Sequence, residues 1–369
     1  MDFVSAVFLV WIILFVIVSR ISGNKFYPYV MIIFGLAFVL STAPLAGAVL
    51  MVESMVCYYA CLRRKQLQWL YAVLSASIVF IAFLLCKYLA SKNMFVLPLG
   101  ISYFSFRLIH YVQENFRQRI REHNLKEFMA YMTFFPTYVV GPINLFPEFL
   151  KNLRRRNWDS SQFSYGLERL LYGYAQLIIL GDFLVNHLLK NWMTLNLTSH
   201  HPVVTLCLQS LHMWLDLYVR FSAYSSIAIG IAATAGFTVP ENFNYPFLAT
   251  NIREFWLRWH MSLTNWCREY IFIPVAAITR KPYLAIGATM ITIGVWHELS
   301  LRYIIWGIYH ALGIIVFEKY SILTKGRSSG GKILAIVRKT AGIALTLIFV
   351  ILSFPVTSMV NNYLIRLIK

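Results

Sequence analysis

The residues best suited to chemistry are histidines and charged groups that interrupt apolar runs. His297 closes the uncharged run from Pro282 and is followed by a second apolar run, Tyr303 to Phe317. An imidazole buried between apolar segments is costly unless hydrogen-bonded, and ionisable groups in such segments mark functional sites by default. A neutral histidine there is a candidate general base; the plainer reading is a histidine hydrogen-bonded at a helix interface. The second candidate is the segment Asn251 to Ser262. Spacing of three and four puts Arg253, Leu257 and His260 on one helical face, and Glu254, Arg258 and Met261 together. Substrate binding and a plain interfacial helix both fit it. A third group, His212, Asp216 and Arg220, steps by four and reads as a structural ion pair, because no serine or cysteine completes a triad. His110, His123, His187, His200, His201 and His310 have weaker local contexts. His297-Glu298 begins a zinc-peptidase pattern, but residue 301 is Leu, so no metal site is read there.

These groups must be positioned by elements of a membrane protein. Of 369 residues, 59% are apolar, 16% aromatic and 13% charged, which excludes a water-soluble globule. Uncharged runs at Phe3–Ser19, Phe26–Val52, Gln66–Cys86, Phe128–Pro147, Phe221–Pro240 and Thr340–Ile365 include several long enough to span a bilayer. The excess of 33 Lys and Arg over 15 Asp and Glu gives a charge of +18. It lies in short clusters between the runs: Arg63-Arg64-Lys65, Arg117 to Arg121, Lys151 to Arg156, Arg280-Lys281 and Lys319 to Lys339. That distribution is topological and attracts anionic lipid; it argues against nucleic acid as a partner. Alternate crossings put the amino terminus outside, loops 20–26, 62–66 and 319–339 inside, and the turn at Thr42-Ala43-Pro44 outside. The first segment lacks a small-residue cleavage site and reads as a retained anchor. Cys57, Cys61, Cys86, Cys207 and Cys267 lie in apolar stretches and read as packing residues.

No repeat or linker divides the chain, so one membrane-embedded domain is expected: scaffold helices over 1–92, a core over 93–320, and a cytoplasmic loop with the last transmembrane helix over 321–369. The core is where Pro98, Gly100, Pro136, Gly141, Pro142, Pro147, Pro240, Pro246 and Pro274 break the apolar runs. Broken helices persist at membrane depth only where protein or a water-filled cavity satisfies the freed backbone groups, so the site belongs there.

Several ordered blocks resemble the membrane-bound O-acyltransferase (MBOAT) family, in the branch of alginate O-acetyltransferases and teichoic-acid D-alanyltransferases. They are Leu97-Pro98-Leu99-Gly100-Ile101-Ser102-Tyr103-Phe104-Ser105-Phe106; Phe134-Phe135-Pro136 with Gly141-Pro142-Ile143; Pro240-Glu241-Asn242-Phe243-Asn244-Tyr245-Pro246-Phe247; Glu254-Phe255-Trp256-Leu257-Arg258-Trp259-His260-Met261-Ser262-Leu263; and Gly294-Val295-Trp296-His297 with Trp306-Gly307-Ile308-Tyr309-His310. Two positions depart from the family pattern. Glu298 stands where Gly is usual, and Arg220-Phe221-Ser222-Ala223-Tyr224-Ser225-Ser226 replaces Asp-Phe-Ser-Gly-Tyr-Ser-Asp.

The resemblance implies an all-α polytopic membrane protein, a bundle of about 10–12 transmembrane and re-entrant helices around a central funnel or tunnel. It implies His297 and His260 as catalytic residues, with Asn251, Arg258, Trp259, Ser262, Trp296 and Glu298 binding substrate, and neither metal nor bound cofactor. The reaction implied carries an acyl group, acetyl first, from a cytoplasmic thioester of coenzyme A or an acyl carrier protein to a hydroxyl. The acceptor is a cell-surface or secreted glycan, or an extracytoplasmic acyltransferase partner, at a bacterial inner membrane. D-alanyl transfer toward teichoic acid is the alternative. A transporter or flippase would share the broken helices but lacks paired half-repeats, and a non-catalytic scaffold is the remaining reading.

Overall fold

The computed structural model describes residues 3–62, 68–91, 100–120, 122–157, 159–196, 202–325 and 331–368. The triplet Arg63-Arg64-Lys65, the block start Leu97-Pro98-Leu99, and His200 and His201 lie outside them. The described chain is α-helical, its one extended pairing a single bridge between Phe243 and Trp259. It forms two compact units, Met1–Ala175 with Ala223–Pro240, and Gln176–Ser222 with Glu241–Lys369.

The first unit opens with α1 (Ala6–Ile21), α2 (Tyr27–Thr42), α3 (Pro44–Cys61), α4 (Gln68–Ser91) and α5 (Ile101–Phe116). The turn expected at Ala43 is where α2 gives way to α3, Pro44 starting the new helix because the first turn needs no N–H from it. Val7, Ile17 and Ile21 of α1 are 64%, 50% and 78% exposed, an apolar surface that suits lipid. The opposite side is aromatic: the Phe135 ring lies within 4.7–6.0 Å of Phe8, Phe15, Phe34 and Phe38.

The uncharged run Phe128–Pro147 is not a span. α6 (Leu125–Met132) stops before a single 3-10 turn at Phe135–Thr137, and the chain stays irregular until α7 (Phe146–Arg154). Pro136 and Pro142 lack donors, and Gly141 has φ 151°. Arg107, 1% exposed, answers the carbonyls that the break frees. It donates to Tyr131 O at 3.3 Å, to Thr137 O at 2.6 Å and to the Thr137 hydroxyl. Tyr131 in turn donates to Asn144 O at 2.8 Å, and the Phe146 N–H donates to His110 Nε2 at 3.1 Å. Protein groups therefore take the place of water at this break. α8 (Ser160–Ala175) completes the first unit, together with the last turns of α10.

The second unit holds the π-helical stretch Gln176–Leu189, α9 (Lys190–Asn196), most of α10 (Pro202–Thr234), α11 (Ile252–Arg258), α12 (Met261–Cys267), α13 (Ile273–Thr279), α14 (Pro282–His297), α15 (Leu301–Thr324) and α16 (Lys332–Ile368). Among the described residues, Pro44–Cys61, Leu301–Thr324 and Lys332–Tyr363 are long and apolar enough to cross a membrane, with shorter apolar helices at Ala6–Ile21, Tyr27–Thr42 and Val73–Leu89. Helices α14 and α15 pack at backbone distance through two glycines. A Cβ on Gly294 would collide with the Tyr303 carbonyl, and one on Gly307 would lie 2.6 Å from Met290 O.

Candidate active site

The site is built around a helix break. Asn251 caps α11, accepting from the Glu254 N–H at 2.8 Å, while the Glu254 carboxylate accepts from Thr250 N and Oγ1 at 2.8 and 2.7 Å. Glu254 also pairs with Arg258 at 2.8 Å, as the four-residue spacing requires. The helix then ends. Trp259 is extended, and His260 is left-handed at φ 43°, ψ 53°. That conformation is uncommon for a residue with a side chain and persists only where the surroundings hold it. Here the segment bridged at Phe243 does so: Asn244 N donates to Arg258 O at 3.0 Å and Met261 N to Asn242 O at 2.9 Å.

This break corrects the expectation that Arg253, Leu257 and His260 share a face. Arg253 projects outward, its side chain 62% exposed and paired with Glu318 at 3.1 Å, and Leu257 is 55% exposed. His260 is 2% exposed. Helical spacing fails because the periodicity is interrupted one residue before the histidine.

His260 meets the other motif across an indole. Its ring centroid is 5.6 Å from that of Trp296 and, edge to face, 4.7 Å from that of Phe221. The Trp296 ring is 4.6 Å from that of His297, which also neighbours Tyr303 at 5.7 Å and Trp306 at 5.4 Å. His260 Nε2 has no hydrogen-bond partner. His297 corrects a second expectation, since it is exposed rather than buried. Helix α14 ends at this residue and Glu298 continues as extended chain, so the ring emerges where α14 turns toward α15. Glu298 is likewise exposed, and its φ of −156° is open to any residue, so the backbone makes no demand for the family's glycine.

The structure thus brings His260, Trp296, His297 and Glu298 into one region. The remaining expected residues make contacts within the protein. Ser262 donates to Asn242 Oδ1 at 2.6 Å, Arg258 donates to Asn244 O at 3.1 Å besides its pair with Glu254, and Trp259 stacks on Phe255 at 5.4 Å. These side chains hold the break in shape. Asn242 was missed as a residue of interest, although it ties both Ser262 and the backbone of Met261. Trp306 and Tyr303 were missed as neighbours of His297; their spacing on α15 was legible, their packing on α14 was not. In the third group Arg220 pairs with Asp216 at 2.7 Å and with Asp182 at 2.7 Å, while His212 Nε2 is buried without a hydrogen-bond partner. Those carboxylates balance the arginine that departs from the family block.

Residues 101–328 match the MBOAT, membrane-bound O-acyltransferase, family. The chain belongs to this family. Within it, this MBOAT chain is 32% identical over 225 residues to a probable alginate O-acetylase AlgI of Pseudomonas aeruginosa, covering 60% of the chain and 42% of the relative. It is 31% identical over 242 residues to a teichoic acid D-alanyltransferase of Bacillus subtilis, covering 60% of each. It is 27% identical over 275 residues to a peptidoglycan O-acetyltransferase of Helicobacter pylori, covering 62% of the chain and 49% of the relative. The chain spans about half the length of the relatives it matches. All-α architecture, apolar helices and family membership agree on a membrane protein.

Proposed function

We propose that this MBOAT protein is a membrane O-acyltransferase. It moves an acetyl group from acetyl-CoA or an acyl carrier protein on the cytoplasmic side to a hydroxyl of a cell-surface or secreted polysaccharide, or to an extracytoplasmic partner protein. The observation that carries this reading is the single indole, Trp296, in ring contact with both motif histidines, one buried with an unpartnered nitrogen and one exposed at a helix end. His297 takes the proton of the attacking hydroxyl as the new C–O bond forms. The C–S bond then breaks and the thiolate receives that proton. His260 orients donor or acceptor from the buried side, and Asn251, Arg258, Trp259 and Ser262 support it by fixing the break. The basic cytoplasmic loops attract an anionic coenzyme or an acidic carrier. The chain acts as one domain in a bacterial inner membrane, amino terminus outside.

D-alanyl transfer toward teichoic acid is the second reading. It is favoured by the greater share of the D-alanyltransferase relative that is matched and by the exposed Glu298 carboxylate, which suits the ammonium of an aminoacyl donor. Full-length protein in liposomes, given labelled acetyl-CoA in one arm and D-alanyl carrier protein in the other, separates the two. Transfer from one donor names it; transfer from neither sinks both and leaves a transporter or scaffold role.

A further inference from the structure

His310 lies on α15 one turn beyond Trp306 and is 1% exposed, yet neither ring nitrogen has a hydrogen-bond partner. Its ring is packed 4.4 Å from Trp306, edge-on at 5.3 Å to Trp256 and edge-on at 5.6 Å to Phe349. Trp256 is 6% exposed, and its Nε1 is unpartnered as well. Buried donors are almost always paired in folded proteins, so two neighbouring side chains that keep theirs open point to an acceptor atom brought by a ligand. Trp306 is not a third such donor, because its Nε1–H is spent on Ser353 Oγ at 3.3 Å. Its ring instead neighbours both histidines, 4.4 Å from that of His310 and 5.4 Å from that of His297. The close packing at Gly294 and Gly307 fixes the two helices that carry the histidines.

The acceptor that fits is an oxygen that gains negative charge during the reaction. Acyl transfer creates one such atom: when the hydroxyl oxygen attacks the thioester carbon, the carbonyl π electrons move onto its oxygen. Preorganised N–H donors in a dry site stabilise that charge more than the ground-state carbonyl. We infer that His310 and Trp256 are the donors to the acyl carbonyl oxygen, a pair complementary to the base His297. A neutral imidazole carries one N–H whichever nitrogen holds it, and an indole N–H is a donor only, so both suit this task. When the carbonyl re-forms the C–S bond breaks, and the proton held by His297 goes to the thiolate. The inference rests on the acyltransfer reading above.

Full-length Trp256→Phe, His310→Leu and His310→Gln in liposomes test it, with labelled acetyl-CoA and D-alanyl carrier as donors. Trp256→Phe and His310→Leu should each lose about 10²- to 10³-fold in kcat at unchanged donor KM and unchanged melting temperature. His310→Gln, which keeps an N–H, should recover part of that loss. Wild-type kcat in Trp256→Phe and His310→Leu, with His297→Ala inactive, overturns the inference alone. A raised KM at unchanged kcat also overturns it, since that assigns ground-state binding. Should His310→Leu fail to fold, Trp256→Phe decides, because it keeps most of the ring. A wild-type protein that transfers from neither donor removes the acyltransfer reading and this inference with it.

Discussion

Two polar clusters in the second unit contrast a partly exposed, paired charge with buried nitrogens that lack partners. Around Arg220 the account closes: its guanidinium meets Asp182 and Asp216, and Asp216 also accepts from Asn186 Nδ2 at 2.5 Å. Around Trp296, Trp306 and Trp256 it stays open, for the nitrogens named on His260, His310 and Trp256 are buried without partners. Charge that is neutralised within the protein holds helices together. Polar atoms that are desolvated and left unpaired are expensive, and on the reading proposed above a substrate supplies the missing partner.

The sharpest way to break this contrast is to remove His297, the proposed base. His297→Ala should lower acyl transfer by about 10²- to 10⁴-fold while the melting temperature stays at the wild-type value; near wild-type transfer would remove it from the mechanism. His260→Ala should follow closely, again without loss of stability, as read by the same two assays. Gly294→Ala tests whether activity depends on the seating of α14 against α15. A Cβ there forces the helices apart at Tyr303, so the expected outcome is about 1–3 kcal/mol of destabilisation with transfer lowered about 10²-fold, measured per folded protein. Asp216→Asn should do the reverse, costing roughly 1 kcal/mol in thermal stability with transfer per folded molecule unchanged, because Asp182 still faces Arg220 and the pair is partly solvated. Loss of transfer at full stability in that variant would place the ion cluster in the site.

The smallest effect belongs outside the spanning helices. Glu127 completes a capping box with Asn124 and accepts from Arg154 at 2.7 and 2.9 Å. Burial raises its pKa, but the Arg154 and Asn124 hydrogen bonds outweigh that and hold it below the usual carboxylate range. A depressed carboxyl contributes stability above its unfolded pKa of about 4.3, lost as pH falls through the lower folded value. With Arg154 42% exposed the pair contributes no more than about 1 kcal/mol. Glu127→Gln should therefore flatten the acid limb of the melting curve below about pH 4.3 and leave neutral stability slightly reduced; an unchanged acid limb would show that the pair contributes nothing.

Much of the fold was readable because apolar length and helix punctuation are local. The runs ending at Ser19 and starting at Phe26 became α1 and α2, Pro282 opened α14, and Asn251 capped α11. Phe128–Pro147 stands among the candidate runs because its composition is apolar, but its prolines break the helix and it is not a span. The ion pair of Asp216 with Arg220 and that of Glu254 with Arg258 follow from four-residue spacing on one helix.

The site was legible only as a set of motifs. Sequence by itself determined that this chain lives in a membrane, which segments are helical, and that His260 and His297 stand at interruptions in apolar runs; these are consequences of hydropathy and of neighbours within one turn. Tertiary structure decided that His260 turns inward at a left-handed residue, that His297 emerges at a helix end, and that His310 and Trp256 lie beside Trp306 with their nitrogens unspent. The physical reason is that burial and hydrogen-bond satisfaction belong to contacts between distant segments. The backbone contacts of Asn242 and Asn244 and the close packing of α14 on α15 set those contacts, and no spacing along one helix encodes them.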